Sequence, residues 1–362
     1  MNNNKFDFIL NDINSVNNIT SMSDTEFEYG LNQNKIDTPI TNKPKKKLKI
    51  PKKKIIKKSV DFKFTKPLLK WVGGKTQLLD KLTNTLPNTI KDYHEIFLGG
   101  GSMLIAMLEL NKQGIIDIQK FNAYDLNTGL IYVYKHIQSK KDELLIEINK
   151  LKDTYDTLPF KGEKGRVVVN NEQEGLESKA KFYYYQRNRF INIDKTTVEG
   201  SALFIFINKT CFRGVYREGP NGFNVPFGNY KKTPNIISKK ELDYLSYLIK
   251  DVNFECLGYE DSMDKIGDGD FVYLDPPYAP ENATSFTSYT SDGFDVNNHE
   301  ELFKLTKTLP KNTKFMMSNH SVKLVEDSFK SKKYKIITVE ARRAINSKNP
   351  GKGTKEVIIT NY

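Results

Sequence analysis

The chain predicts an α/β fold built around a doubly wound sheet, and three observations carry that expectation. From Pro67 onward, short apolar runs alternate with longer stretches of helical period. One such run ends in a glycine turn that opens a helix, and another ends in a proline-rich loop, the kind of place where open α/β sheets keep their ligands. At 362 residues, 38% of them apolar, the chain is long enough for one large domain or two smaller ones.

Taken in order, residues 1–40 are rich in Asn, Ser, Thr and Asp without sustained period, so they read as disordered. Lys43 to Lys66 then hold twelve lysines against one acid, Asp61. Residues 1–66 together hold 14 lysines and 7 acids, which puts +7 of the chain's formal +12 in this basic tail. Such a block suits DNA phosphates through counterion release, a nuclear address, or a solvated linker. Strands are expected at His94–Leu98, Phe121–Tyr124, Phe254–Leu257, Phe271–Leu274, Phe315–Ser318 and Glu356–Thr360. Between the second and third lies a helical stretch crowded with Phe182, Tyr183, Tyr184, Tyr185, Arg187 and Arg189. It reads as an inserted domain over 135–250, so that 67–134 and 251–362 form the sheet domain.

Composition excludes several classes. Cys211 and Cys256 are the only cysteines, too few for a disulfide framework or a thiolate metal knot, and they suit an intracellular chain. No apolar run approaches the ~18 residues of a membrane span, and the Asn-rich start lacks a signal-peptide core. His94, His136, His299 and His320 show no metal spacing; they read as surface or satisfied core groups, and no metal is expected.

The segment EIFLGGGSMLIAMLEL reads as strand, glycine turn and helix opening near Ser102. Consecutive glycines permit positive φ and leave no Cβ in the way of a ligand, while the helix N-terminus offers free N–H groups. The next strand ends in Tyr124-Asp125, and a carboxylate there can accept both hydroxyls of a ribose, so a nucleoside-bearing cofactor is expected. The G-x-G-x-x-G pattern would need glycine at 104, where the chain has Leu104; that counts against a dehydrogenase.

The strand FVYL ends in Asp275-Pro276-Pro277-Tyr278. Asp275 offers a carboxylate, and the two prolines stiffen the loop and present bare carbonyl oxygens. Asp275 and the Pro276 carbonyl can together accept from an exocyclic amine and draw its lone pair out of conjugation. Tyr278 supplies a face on which a base extracted from its duplex can stack.

With these residues in view, the sequence resembles the Dam-type DNA adenine-N6 methyltransferases, whose order of motifs is KWxGGK, FxGxGS, target-recognition insert, DPPY. The matching segments run LLKWVGGKTQLL, EIFLGGGS, AYDLN, NKTCFRGVYREGPNGFNVPFGNY, YEDS, VYLDPPY, FMMSN and ARRAINS, from Leu68 to about Ile359. The resemblance implies a Rossmann-like S-adenosylmethionine-dependent methyltransferase sheet, a mainly helical target-recognition insert containing a hairpin, S-adenosylmethionine as cofactor and double-stranded DNA as partner. It implies that Trp71, Lys75, Phe97, Gly99 and Gly101 contact the cofactor, Lys75 at its carboxylate. Asp125 would hold the ribose and Asp261 would lie beside the adenine. Asp275, with Pro276 and Tyr278, would touch both the methionine end and the target amine. On the DNA side, Phe212 would wedge beside the extruded adenine, Arg213 face the vacated partner and Arg217 read a guanine edge. Pro226 would press a thymine methyl or neighbouring edge, and Tyr230 would close the hairpin. GATC ranks first as target. A monomer is expected, and a cognate restriction nuclease is compatible with the resemblance. Two readings stay open beside it: a methyltransferase of RNA or of another amine, and a catalytically inactive DNA binder. Ile96 stands where the family usually has proline, the glycine turn lacks a bulkier middle residue, and Asn229 replaces a frequent basic residue.

Overall fold

Period-two alternation decides the layering. In Phe271–Leu274 all four residues are buried, yet Phe271 and Tyr273 join one apolar cluster while Val272 and Leu274 join another. Both faces of that strand are therefore covered, as a doubly wound sheet requires. The computed structural model describes residues 63–163, 167–280, 293–342 and 353–362, which fall in one unit, Lys58–Tyr362. The expected disordered tail lies outside the described residues, except for its last four positions.

The strands are β1 Asp92–Glu95, β2 Lys120–Asp125, β3 Glu218–Gly219, β4 Gly222–Phe223, β5 Val252–Cys256, β6 Phe271–Leu274, β7 Lys314–His320, β8 Lys335–Arg342 and β9 Gly353–Thr360. Seven of them form one sheet in the order β5-β2-β1-β6-β7-β9-β8, while β3 and β4 pair as a separate hairpin. β5, β2, β1, β6 and β7 are parallel, and β9 lies antiparallel to both β7 and β8.

Three expectations need correction. β1 ends at Glu95, not Leu98, because Ile96–Leu98 bends away to form the glycine turn; only the Ile96 N–H still reaches Tyr273 O at 3.1 Å and the Leu98 N–H reaches Tyr124 O at 2.8 Å. The Ile96 bond is one a proline could not make. The sheet has a seventh strand, β8, which escapes pattern reading because it is an edge strand whose Ile336 and Ile337 stay exposed. His299 is fully buried, yet neither ring nitrogen has a partner among the described residues. It lies against Phe294 and Phe303; burial pushes its pKa down to about 4, so it packs as a neutral ring. His94 and His136 are bonded, to Asp270 and Ser201 respectively.

Between β2 and β5 the chain is mainly helical. Helix Val198–Thr210, apolar on nearly all sides, is buried among helices Thr128–Ser139, Lys141–Thr157 and Lys179–Asn192. Helix starts carry their own stops: Asn127, Ser178 and Thr197 each accept a backbone N–H from the first turn, and Ser238 forms a reciprocal box with Glu241. No helix among the described residues is long and apolar enough to cross a membrane.

Candidate active site

The site forms where the strand order reverses, at the carboxyl ends of β1 and β6. After β1, Gly99 and Gly101 adopt φ of +48° and +69°, conformations that side chains with a Cβ resist. A Cβ on Gly99 would lie 2.8 Å from the Trp71 ring, one on Gly100 3.0 Å from Trp71 Cβ, and one on Gly101 2.7 Å from the Tyr134 hydroxyl. All three glycines are therefore needed for packing, and a bulkier middle residue would meet Trp71 and the Leu69 carbonyl. Asp125, at the end of β2, accepts from the Gly99 and Asn127 N–H groups, both at 2.9 Å. Burial raises its pKa although those backbone bonds oppose the shift. The Leu126 N–H bonds the same carboxylate, whose two oxygens together keep acceptor capacity for a ligand.

Asp275 follows β6 directly. Its Oδ2 accepts from Lys75 Nζ at 2.7 Å, while its Oδ1 is buried and has no partner among the described residues. Lys75 is 4% exposed, also donates to the Gly73 carbonyl at 2.5 Å, and sits 4.8 Å from the centre of the Tyr278 ring. Burial pushes the Asp275 carboxyl up to about 6; Lys75 pulls it down and Glu356 pushes it further up. Tyr278 is half-buried, and its hydroxyl donates to Glu356 Oε2 at 2.7 Å. Pro276 is buried beside it. The structure thus brings Lys75, Asp275, Pro276 and Tyr278 together across 200 residues of sequence.

On the other side of the turn, Phe97 stacks on Tyr259 with centroids 6.1 Å apart and meets Phe294 edge-on at 6.0 Å. Leu126, next to the half-buried Asp125, is 64% exposed, an unusual position for a large apolar side chain. Asp261 is exposed in the first turn of helix Tyr259–Met263. The sequence reading missed Leu126 and Glu95, though both lie in segments it singled out. Glu95 is buried, accepts from the Tyr93 hydroxyl at 2.7 Å and from the Leu104 N–H at the start of helix Ser102–Lys112. Burial pushes its pKa up to about 8.

Phe212, Arg213, Arg217 and Pro226 are exposed around the β3–β4 hairpin, and Tyr230 is half-buried. Phe212 is 47% exposed, its N–H bonds the Pro226 carbonyl at 2.8 Å, and the Arg213 guanidinium lies over its ring at 5.1 Å. Arg213 has φ +56°, a strained choice for a non-glycine residue and one that tends to accompany function. Asn229 shares that φ, and asparagine tolerates it better than most side chains do. Arg217 Nε donates to Asn224 Oδ1 at 2.7 Å across the hairpin base. Lys70, also missed, runs beneath Gly214, which has no room for a Cβ, and reaches toward the Tyr230 ring. Trp71 joins the two regions, stacking on Tyr216 at 5.2 Å while lying against the glycine turn. Among the described residues no group of His, Cys, Asp and Glu could hold a metal.

The chain is also similar to known proteins. The family model for D12 class N6 adenine-specific DNA methyltransferases matches residues 71–345. The type II methyltransferase M.MjaIII of Methanocaldococcus jannaschii is 35% identical over 311 residues, covering 82% of this chain and 99% of its own length. The type II methyltransferase M1.LlaDCHI of Lactococcus lactis is 31% identical over 307 residues, covering 82% and 95%. The DNA adenine methylase of Escherichia coli K12 is 29% identical over 289 residues, covering 79% and 91%.

Proposed function

Because the chain belongs to the D12 class of N6 adenine-specific DNA methyltransferases, we propose that it transfers the methyl group of S-adenosylmethionine to N6 of an adenine extruded from double-stranded DNA, with GATC the first sequence to test. The observation that carries this reading is Asp275 Oδ1, a buried acceptor without a partner among the described residues, at the end of β6. A buried carboxylate oxygen left unbonded is costly, which argues for a donor that arrives with the substrate.

The residues present fit the cofactor. The glycine turn has no room for side chains and leads directly into the N-terminus of helix Ser102–Lys112. Asp125 would hold the ribose, Phe97 and the exposed Leu126 would cover the adenine, and Trp71, Gly99 and Gly101 would border the methionine moiety. Asp261, on the helix whose Tyr259 stacks on Phe97, would lie at the outer side of that pocket. When bound, S-adenosylmethionine supplies an electrophilic methyl group. The remaining work belongs to the chain. Asp275 Oδ1 and the Pro276 carbonyl accept from the adenine amine and direct its lone pair outward. Lys75 fixes the other carboxylate oxygen, and Tyr278 stacks the base. Lys75 already neutralises Asp275, so in this reading its part is to orient that carboxylate as well as to meet the cofactor's own.

Phe212, Arg213, Arg217, Pro226 and Tyr230 form the DNA-facing set. Arg217 is the residue assigned to a guanine edge, a bidentate contact worth roughly 1–3 kcal/mol of discrimination. Two of the relatives are type II methyltransferases by name, which makes a cognate nuclease a partner to look for, and the reading sets the enzyme to work as an intracellular monomer.

The test is to express the chain in cells lacking adenine methylation and sequence their DNA for modified adenines. Modified sites should appear at one short motif, and Asp275→Ala should lose transfer entirely while still binding DNA. Turnover retained in that variant would exclude the assignment.

A further inference from the structure

Tyr278 is held from three sides, and only one of these holds carries a negative charge. Its hydroxyl donates to Glu356 Oε2 at 2.7 Å, a bond that ties the loop after β6 to β9, with β7 between them. On β7, His320 is the ladder partner of Glu356, and its ring meets that of Tyr278 in a T-shaped contact with centroids 4.7 Å apart. His320 Nδ1 also lies 2.9 Å from the Ala279 carbonyl. From the third side comes the Lys75 ammonium.

We propose that Glu356 is a positioning residue for methyl transfer: through the Tyr278 hydroxyl it fixes the ring against which the adenine stacks, and its charge makes Asp275 a stronger acceptor. The inference rests on the reading that Asp275 and Tyr278 receive the adenine. A phenol bonded to a carboxylate makes a strong, directional contact, so the hydroxyl end of the ring cannot swing when a base arrives, and the His320 ring packed against it limits rotation. A neutral acceptor at 356 would hold the hydroxyl equally well. An acid does more, because a like charge nearby raises the proton affinity of Asp275 and with it the strength of the hydrogen bonds Asp275 accepts. The titratable groups facing this pair are Lys75, Glu95, Tyr273, Tyr278 and His320. Among these, Lys75 opposes Glu356 at Asp275.

The experiment compares the full chain with E356A, E356Q, Y278F and the double variant E356A/Y278F. It measures kcat and KM for DNA, the pH profile of kcat, and the fluorescence of 2-aminopurine placed at the target adenine, which reports extrusion. E356A and Y278F should each lose about tenfold or more in kcat, and the double variant should lose no more than E356A alone. E356Q should keep the extrusion signal while the acid limb of its profile moves down by roughly half a pH unit or more. Losses that add in the double variant, or an E356Q limb that stays in place, overturn the inference. If E356A fails to fold, the E356Q limb decides alone. Retained transfer in Asp275→Ala would instead overturn the underlying reading of the site; loss of transfer there with an unmoved E356Q limb removes only the role of Glu356.

Discussion

Asp275 shows how burial and one cation share a single carboxylate. Lys75 stabilises Oδ2, and Oδ1 keeps its acceptor capacity in a place water does not reach. Glu95, behind the glycine turn, is the converse case. Its pKa rises from 4.5 to about 8 because burial disfavours the charge, so the folded protein holds a proton there that the unfolded chain has released. Stability is thus undiminished below about pH 4.5 and declines as the pH rises toward about 8. Glu95→Gln, which keeps an acceptor for Tyr93 and Leu104 without the titration, should raise the thermal midpoint at pH 8 and leave it nearly unchanged at pH 5; calorimetry at the two pH values checks this. At this scale the sequence was informative wherever chemistry is local. Asp275, Pro276 and Tyr278 announce themselves in four consecutive residues. Glu356 does not, because its role depends on β9 lying beside β7, and nothing local in KEVIIT separates a structural acid from one aimed at Tyr278.

At the scale of elements, the glycine turn is the most constrained piece of the site. Gly99 combines a positive φ with contact to the Trp71 ring, so Gly99→Ala forces both a strained backbone and a displaced indole. Strain of this kind costs about 1–3 kcal/mol, and affinity for the proposed cofactor, S-adenosylmethionine, should fall about tenfold or more. Trp71 is the only tryptophan in the chain, so titration of its emission measures that affinity directly. Strand positions were legible where apolar runs are buried on both faces, as in β6, whose limits match the expectation residue for residue. They were not legible where the ladder ends for a functional reason: Ile96–Leu98 is as apolar as any strand, yet it serves as the approach to the turn. The edge strand β8 was hidden by its exposed isoleucines, since Val339 alone among its described side chains is buried and no alternating pattern results.

For the whole molecule, the excess charge belongs mainly to the basic tail. Thr65 donates both its N–H and its hydroxyl to the buried Glu109 carboxylate, so a deletion meant to test charge alone should stop short of that residue. Residues 1–58 contain 12 lysines and 6 acids, a net +6. Removing them should weaken non-specific DNA binding and flatten its dependence on salt by up to about 0.9 in log–log slope for each phosphate no longer neutralised; equal slopes with and without the segment would show it to be idle. Synthesis meets the sheet in a different order from the one in which its strands lie. β9 sits between β7 and β8 and pairs with both, so the two strands made before it have nothing to join them until it arrives. A nascent chain that has reached only residue 352 carries its glycine turn and DPPY loop but lacks the strand that bears Glu356. Methylation should therefore reach its full rate only once β9 has been made and has slotted between β7 and β8.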